Sequence, residues 1–180
     1  MKRKILIILG LICFSMISFA SKHPALKDFE DNLKLLQSGK FNEVLSKEEI
    51  GTNEELFKVF SEGYKKITYK INKSSEKNGE YLINVTMKAP DMTGNLEDFI
   101  QKVMTYAMTN LNKSDKEMEA DIEEMLISSI KSGFSNPKIK YRENTFDVVY
   151  SKVGNNWEMD TEKNSELMDM ITFGYLSSLK

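Results

Sequence analysis

Two alternating segments within residues 64–88 constrain the fold more than any other part of the sequence. Apolar and polar side chains alternate along residues 67–72, and the same alternation returns along residues 81–87. A period of two residues is typical of a strand with one buried and one exposed face. Residues 74–79, between the two segments, are polar and contain a glycine, which favours a turn. The sequence therefore predicts an antiparallel β-hairpin whose apolar face must be covered by helices.

The N-terminal segment has the three parts of a secretory signal peptide. A basic start at residues 2–4 precedes an almost uninterrupted apolar run at residues 5–19, and Ala20 ends a small-residue exit. We predict that residues 1–20 are a signal peptide and that cleavage follows Ala20. A retained membrane anchor is the alternative, although the apolar run is shorter than the roughly 20 residues that a spanning helix needs.

Cys13, the single cysteine, raises the question of a bacterial lipid anchor. A lipid-attachment cysteine follows a small residue and begins the mature chain, whereas Cys13 follows Ile12 inside the apolar run. Lipidation is the weaker interpretation. The predicted protein is exported, periplasmic or extracellular, without disulfides and without an integral membrane span. A retained N-terminal segment would instead hold it at the membrane.

Composition excludes several classes of function for residues 21–180, which have the usual length of one domain. Without the leader, 22 basic residues face 27 acidic ones, a net charge of −5. Nucleic acids and anionic membranes are bound by clusters of Lys and Arg, so neither is an expected partner. The one histidine, His23, is predicted to belong to a disordered tail. The absence of cysteine excludes thiol chemistry and we predict no metal site and no cofactor.

Apolar residues at helical spacing flank the predicted hairpin. Two helix starts carry capping boxes, in which a hydroxyl and a glutamate satisfy backbone N–H groups: Thr52 with Glu55, and Ser114 with Glu117. The predicted helices before the second hairpin are 25–38, a short one around 41–45, 52–64, and an amphipathic pair inserted over 95–132 with a stop at Gly133.

Extended chain returns over residues 138–160. The alternation changes parity across residues 142–145, which indicates a bulge, and Gly-Asn-Asn at 154–156 favours a tight turn before Trp157. We expect Trp157 to be a core anchor. A last helix is predicted over residues 165–179, with apolar residues around most of its circumference, a pattern typical of burial on more than one side.

The order of elements predicts an α+β domain: a curved four-stranded antiparallel sheet with N-terminal helices packed on it, a helical hairpin inserted between the two β-hairpins, and a C-terminal helix. It resembles the cystatin-like and nuclear-transport-factor-like superfold, through residues 36–41 (LQSGKF) with Val44 and Leu45, and through residues 150–160 (YSKVGNNWEMD). The tail, Asn164 followed by FGYL at 173–176, is similar to a bacterial family of exported proteins of unknown function, many of them lipoproteins. The inserted helical pair is long for this superfold.

The resemblance implies where catalytic groups would lie, because enzymes of this superfold use an Asp, His or Tyr inside a cone. The tyrosines of the strands share parity with apolar neighbours and are interpreted as core residues, whereas Asp147 is expected to face solvent. A fold alone implies no activity, so we predict a non-enzyme, with an isomerase-like or dehydratase-like enzyme as the alternative. The residues in question are Tyr69, Tyr81, Asp91, Tyr141, Asp147 and Tyr150.

The expected site is an apolar, methionine-rich surface shared by the inserted helices and the last helix. Methionine is flexible and polarisable, which suits an adaptable binding groove. We predict that this surface binds a small apolar ligand or a protein partner. A homodimer and a structural subunit of the cell envelope are the alternatives. Its predicted residues are Met104, Met108, Met118, Met125, Met168, Ile171, Tyr175 and Leu176.

Overall fold

The computed structural model describes residues 22–40, 54–175 and 177. The predicted signal peptide, the short helix around 41–45 and the Thr52 cap lie outside these residues. In chain order the elements are α1 Pro24–Ser38, α2 Glu54–Tyr64, β1 Thr68–Lys77, β2 Glu80–Pro90, α3 Thr93–Thr109, α4 Asp115–Ser135, β3 Tyr141–Val153, β4 Asn156–Met159 and α5 Ser165–Ile171.

The four strands form one antiparallel sheet in the order β1-β2-β3-β4, so that β1 and β4 are its edge strands. β2 and β3 pair along their whole shared length, from Glu80 opposite Ser151 to Pro90 opposite Tyr141. One face of β2 is buried beneath the helices, whereas the alternate residues from Glu80 to Lys88 are half-buried or exposed. The α+β class is confirmed, since an antiparallel sheet with one covered face produces the alternation seen in the sequence.

The first hairpin has a tighter turn than predicted. β1 continues through residues 74–77, and only Asn78 and Gly79, both at positive φ, make the turn. An Asn-Gly pair of this kind matches the right-handed twist of the flanking strands. The prediction of a turn over 74–79 was wrong because those polar residues pair with β2 through their backbone, whatever their side chains.

The predicted bulge lies in a different strand. β3 keeps one register across residues 142–145, and the register shift is instead in β1, between Ile71 and Lys73. The parity change in the sequence arises because Tyr141 is an aromatic residue on the exposed face. Its ring is covered by Lys88, whose Nζ lies 5.3 Å from the ring centroid. A stacked cation therefore accommodates an apolar ring on the solvent side.

The N-terminal helices cover the sheet as predicted. α1 buries Phe29, Leu33 and Leu36, and it ends at Gly39, which adopts the left-handed conformation. α2 packs on β2 and on α4. Helices and inner sheet face share one hydrophobic core.

The last helix is shorter than predicted. α5 ends at Ile171, because Phe173 and Gly174 both have positive φ and turn the chain. The backbone N–H of Gly174 donates to the Asp169 carbonyl at 2.9 Å, which closes this turn. Phe173 is fully buried, and its ring centroid lies 4.9 Å from that of Phe134. Apolar residues that were expected to surround a long helix instead fill the core as a short helix and a buried turn.

The inserted helical pair is present and slightly longer than the predicted range of 95–132. The capping box is confirmed: Ser114 accepts from the Glu117 N–H, and the Glu117 carboxylate accepts from the Ser114 N–H at 3.0 Å. Gly133 does not stop α4, which continues to Ser135. It is instead a close-packing position, since a Cβ there would lie closer than 3.0 Å to the buried Met92 side chain.

Candidate functional site

The inserted pair forms a helical arm, residues 93–135, that is only partly covered by the rest of the domain. α4 packs on α2 and buries Leu126, Ile130 and Phe134. α3 packs on α4, and Leu96 is its one buried residue. α3 therefore lies on the outside of the arm, although its sequence carries as strong an apolar stripe as a core helix.

Exposure of that stripe increases with distance from the sheet. Leu96 is 5% exposed, Ile100 38%, Met104 62%, Met108 75%, and Leu111, just beyond the helix, 84%. At 3.6 residues per turn the side chains of Ile100, Met104 and Met108 point within a sector of about 80°, and Leu111 follows them along the chain. We call these four residues the α3 face. Within the described part of the chain, four of the six large apolar side chains that are exposed to solvent belong to this face.

The groove between α3 and α4 has a different character. It has a volume of about 560 Å³ and is lined mainly by polar and charged residues, with Met125 as an apolar contribution. Near its base, the Ser129 hydroxyl donates to the Asn95 carbonyl at 3.4 Å. The cleft between the two helices of the arm is therefore polar, and the exposed apolar surface lies on the outer side of α3.

A cluster of charged and polar side chains connects α3 and α4 near the tip of the arm. Lys113 donates to the Asp121 carboxylate at 2.7 Å and to the Tyr106 hydroxyl at 2.8 Å, and Tyr106 also donates to Asp121. The hydrogen bond to Asp121 raises the pKa of Lys113, and the same bond lowers the pKa of Asp121. Both groups remain charged over the ordinary pH range. The cluster links the C-terminal part of α3, through Tyr106, to α4, through Asp121.

The four predicted methionines of the inserted helices divide between two environments. Met104 and Met108 are exposed on the α3 face, whereas Met118 and Met125 are half-buried on α4. Two neighbours of the exposed pair, Ile100 and Leu111, belong to the same face and were not predicted as site residues. They could have been found in the sequence, because they continue the same helical stripe.

The predicted residues of the last helix do not join this surface. Met168 and Ile171 are buried in the core, 8% and 4% exposed, so they offer nothing to a partner. Tyr175 is half-buried, and burial raises the pKa of its hydroxyl, which has no hydrogen-bond partner within the described residues. Leu176 lies outside the described residues. The surface predicted to be shared by the inserted helices and the last helix does not form, because α5 packs against β2 and β3.

An aromatic cluster at the N-terminus was missed in the sequence. His23 stacks on Tyr81, with ring centroids 3.6 Å apart and planes 2° from parallel, and it meets the Trp157 ring edge-on at 4.9 Å. Trp157 is half-buried at the rim of the core and not inside it. The prediction of a disordered tail was wrong because His23 is the N-cap of α1: its Nδ1 accepts from the Ala25 N–H at 3.3 Å. Pro24 at the first helical position was the available signal.

The electrostatics of this cluster favour a neutral imidazole. Burial is the larger effect and lowers the pKa of His23, while Glu76, 3.7 Å from Nε2, acts in the opposite direction. Accepting from Ala25 requires an unprotonated Nδ1. The cluster thus joins the start of the domain to the ends of both hairpins.

The candidate acid–base groups are spread over the domain and are not brought together. Tyr150 donates to the Asp28 carboxylate at 2.8 Å, and burial raises the pKa of Asp28. Tyr81 donates to the Ser74 hydroxyl at 2.9 Å, and Asn84 donates to Asp147 at 2.6 Å on the exposed face. Asp91 accepts a hydrogen bond from the Thr93 N–H. The Tyr69 ring lies edge-on to the Phe29 ring, and Tyr141 is exposed.

Two further properties hold for residues 22–40, 54–175 and 177. They contain no group of three or more His, Cys, Asp or Glu side chains placed to hold a metal ion. None of their helices combines the length and apolar character needed to cross a membrane.

Comparison with known proteins gives one structural similarity. No family model and no curated protein matches the chain. A solved structure from Bacillus subtilis, described as a "putative lipoprotein (ycdA)", matches with 16% identity and a TM-score of 0.46. The match covers 94% of this chain and 54% of that one, so the chain spans about half the length of that protein.

Proposed function

We propose that this chain is an exported, non-catalytic binding domain whose helical arm docks on a partner through the α3 face. Export is supported by the leader, with its basic start, apolar run and small-residue exit. The non-catalytic part is supported by the dispersal of the acid–base candidates over both faces of the sheet and the connection after β2. We also propose that the domain is cystatin-like. Helices packed on one face of an antiparallel sheet support this relationship.

The observation that carries the docking function is the exposure of the α3 face. Exposed apolar residues are ordinary when they are scattered, whereas a contiguous set marks an interaction site. Full burial of one Ile, Leu or Met side chain contributes about 1.5 to 3 kcal/mol. Scaled by the exposed fractions, covering the four residues contributes on the order of 5 kcal/mol, and a partner with an equal face doubles that.

This magnitude predicts a modest affinity. Association costs roughly 4 to 15 kcal/mol in lost rigid-body freedom, which is comparable to the gain from two such faces. The partner must therefore present its own apolar surface, and small polar molecules are poor candidates. Met104 and Met108 can adjust their rotamers to that surface.

A pair of variants at neighbouring positions tests the function. Met104→Glu places a charge in the centre of the α3 face, whereas Thr105→Glu adds the same charge at an exposed position of the same helix. Binding of anilinonaphthalene sulfonate, a dye that fluoresces on apolar surfaces, should fall several-fold in the first variant and stay at the wild-type level in the second. Circular dichroism should show the same fold in all three proteins.

The controls separate the site from general effects of charge. Because the dye is an anion, any loss caused by charge alone would occur in Thr105→Glu as well. Equal dye binding by wild type and Met104→Glu would overturn the proposed docking face.

A further inference from the structure

We infer that β3 has an open edge at residues 143–147 that binds an extended, basic segment of another protein as an additional strand of the sheet. This surface is distinct from the α3 face, so the inference goes beyond the proposed docking function. β3 has 13 residues, whereas β4 has four and pairs only with residues 150–153 of β3. Within the described part of the chain, residues 143–147 therefore pair with β2 on one side and with no strand on the other, and all but Phe146 are exposed.

The register of β2 and β3 shows which backbone groups are already used. In an antiparallel ladder, successive residues direct their N–H and C=O groups to opposite sides of the strand. At one end of the ladder the Lys152 N–H donates to the Gly79 carbonyl at 3.1 Å. At the other end the Asp91 N–H donates to the Lys140 carbonyl at 2.9 Å. The even-numbered residues of β3 therefore direct their backbone groups to β2.

The odd-numbered residues of β3 direct their backbone groups to the other side. Val149 confirms this, because both its N–H and its C=O are bonded to the Asn164 side chain there. Glu143, Thr145 and Asp147 continue the same row, and their backbone groups have no hydrogen-bond partner among the described residues. They offer three N–H and three C=O groups in the arrangement that an antiparallel strand requires.

The edges at β1 and β4 carry features that discourage strand addition, and residues 143–147 do not. Short strands, bulges and lysines are common protections of sheet edges. β4 is short, and β1 has a register shift between Ile71 and Lys73 and further lysines at Lys70 and Lys77. Residues 143–147 contain no lysine and no proline, and they keep one register with β2.

Charge on the exposed face indicates the chemistry of the added strand. Glu143 and Asp147 both lie on this face and form no ion pair with a described residue. Lys88, opposite Glu143, lies over the Tyr141 ring, and Asp147 accepts from the neutral Asn84 amide. Opposite charges on directly paired residues stabilise a sheet, so the added strand should carry Lys or Arg at two positions four residues apart.

The same charges disfavour a second copy of this chain as the added strand. Antiparallel pairing of two such edges about Thr145 would set Glu143 of each copy opposite Asp147 of the other. Like charges directly opposite one another destabilise a sheet.

A short peptide tests the inference on the full exported chain. The probe is the acetylated, amidated pentapeptide Lys-Val-Thr-Val-Lys, which places a lysine opposite each carboxylate and fills the other positions with residues that favour strands. In NMR titrations to millimolar peptide we expect the amide signals of Glu143, Thr145 and Asp147 to shift. Their hydrogen exchange should slow at least threefold. Signals that stay unchanged would overturn the inference.

N-methylated peptides separate strand addition from simple charge attraction. In the antiparallel arrangement the first, third and fifth residues of the peptide bond to β3, whereas the N–H groups of the two valines point away. N-methylation of the threonine should therefore abolish binding, and N-methylation of the second valine should leave it. Equal effects of the two modifications would overturn strand addition.

Two neutral variants test the charge of the partner. Glu143→Gln should weaken binding of the lysine peptide at least threefold, whereas Glu158→Gln, at an exposed position of β4, should leave it unchanged. A peptide with glutamate in place of both lysines should not bind. Equal binding of the acidic and basic peptides would overturn the basic partner.

Two further measurements identify the surface. Met104→Glu should bind the lysine peptide as the wild type does, because the α3 face belongs to the helical arm and not to the sheet. Loss of peptide binding in this variant would place the site on the arm and overturn the inference, without affecting the proposed docking function. Sedimentation of the peptide-free protein as a dimer with slowly exchanging Thr145 N–H would assign the edge to a second copy and also overturn it.

Discussion

The Asn164→Ala variant tests whether the Asn164 side chain replaces a strand residue where β4 ends. β4 pairs with residues 150–153 of β3, so Val149 lies just beyond it. Asn164, 2% exposed, takes the place of the missing strand residue. Its Oδ1 accepts from the Val149 N–H at 2.7 Å, and its Nδ2 donates to the Val149 carbonyl at 2.8 Å. The same Nδ2 donates to the Asp160 carbonyl at 2.7 Å.

Alanine would leave one N–H group and two carbonyl groups without these partners. A buried polar group without a hydrogen bond costs about 1 to 3 kcal/mol. Val149 and Asp160 are half-buried, so water would replace part of what is lost. We therefore expect the free energy of unfolding to fall by about 2 to 4 kcal/mol, below the sum of three full penalties. For a domain of this size that lowers Tm by roughly 4 to 16 °C.

Urea unfolding measures the loss, followed by circular dichroism and by the fluorescence of Trp157, the single tryptophan. Trp157 lies on β4 and reports on the same end of the sheet. Asn155→Ala, in the exposed turn before β4, is the matched control and should stay within about 0.5 kcal/mol of wild type. An Asn164→Ala protein as stable as Asn155→Ala would refute the strand-replacement reasoning.

The remaining predictions concern His23 and Gly63. Because burial lowers the pKa of His23, the folded state binds its proton less tightly than the unfolded chain, and stability is lost as pH falls from about 7 through the lowered folded-state pKa. His23→Phe should remove that part of the pH dependence in urea titrations, and parallel profiles would contradict it. Gly63→Ala would put a methyl group closer than 3.0 Å to the rings of Phe134 and Phe173, and should cost about 1 to 3 kcal/mol in unfolding experiments. Gly94→Ala, with open space around it, is the control, and equal Tm values would show that the rings move aside.

Local patterns in the sequence were sufficient for the class of fold and for most of the elements. Alternation along β2 predicts a strand because successive side chains point to opposite faces. The capping box at Ser114 was predictable because its partners are three residues apart. The signal at His23 was also local, since Pro24 marks the start of a helix, but its stack on Tyr81 joins residues 58 positions apart in the chain.

Tertiary structure alone decided which apolar faces are covered. The sequence placed methionines of both α3 and α5 on one exposed surface, yet Met104 is 62% exposed and Met168 is buried, 8% exposed. Tertiary packing also decided where α5 ends, at a turn that places Phe173 in the core. The physical reason is that periodicity reveals which side of a helix is apolar, whereas burial depends on the element that lies against that side. For α5 that element is the sheet of the same chain, whereas the α3 face is exposed within the described part of the chain.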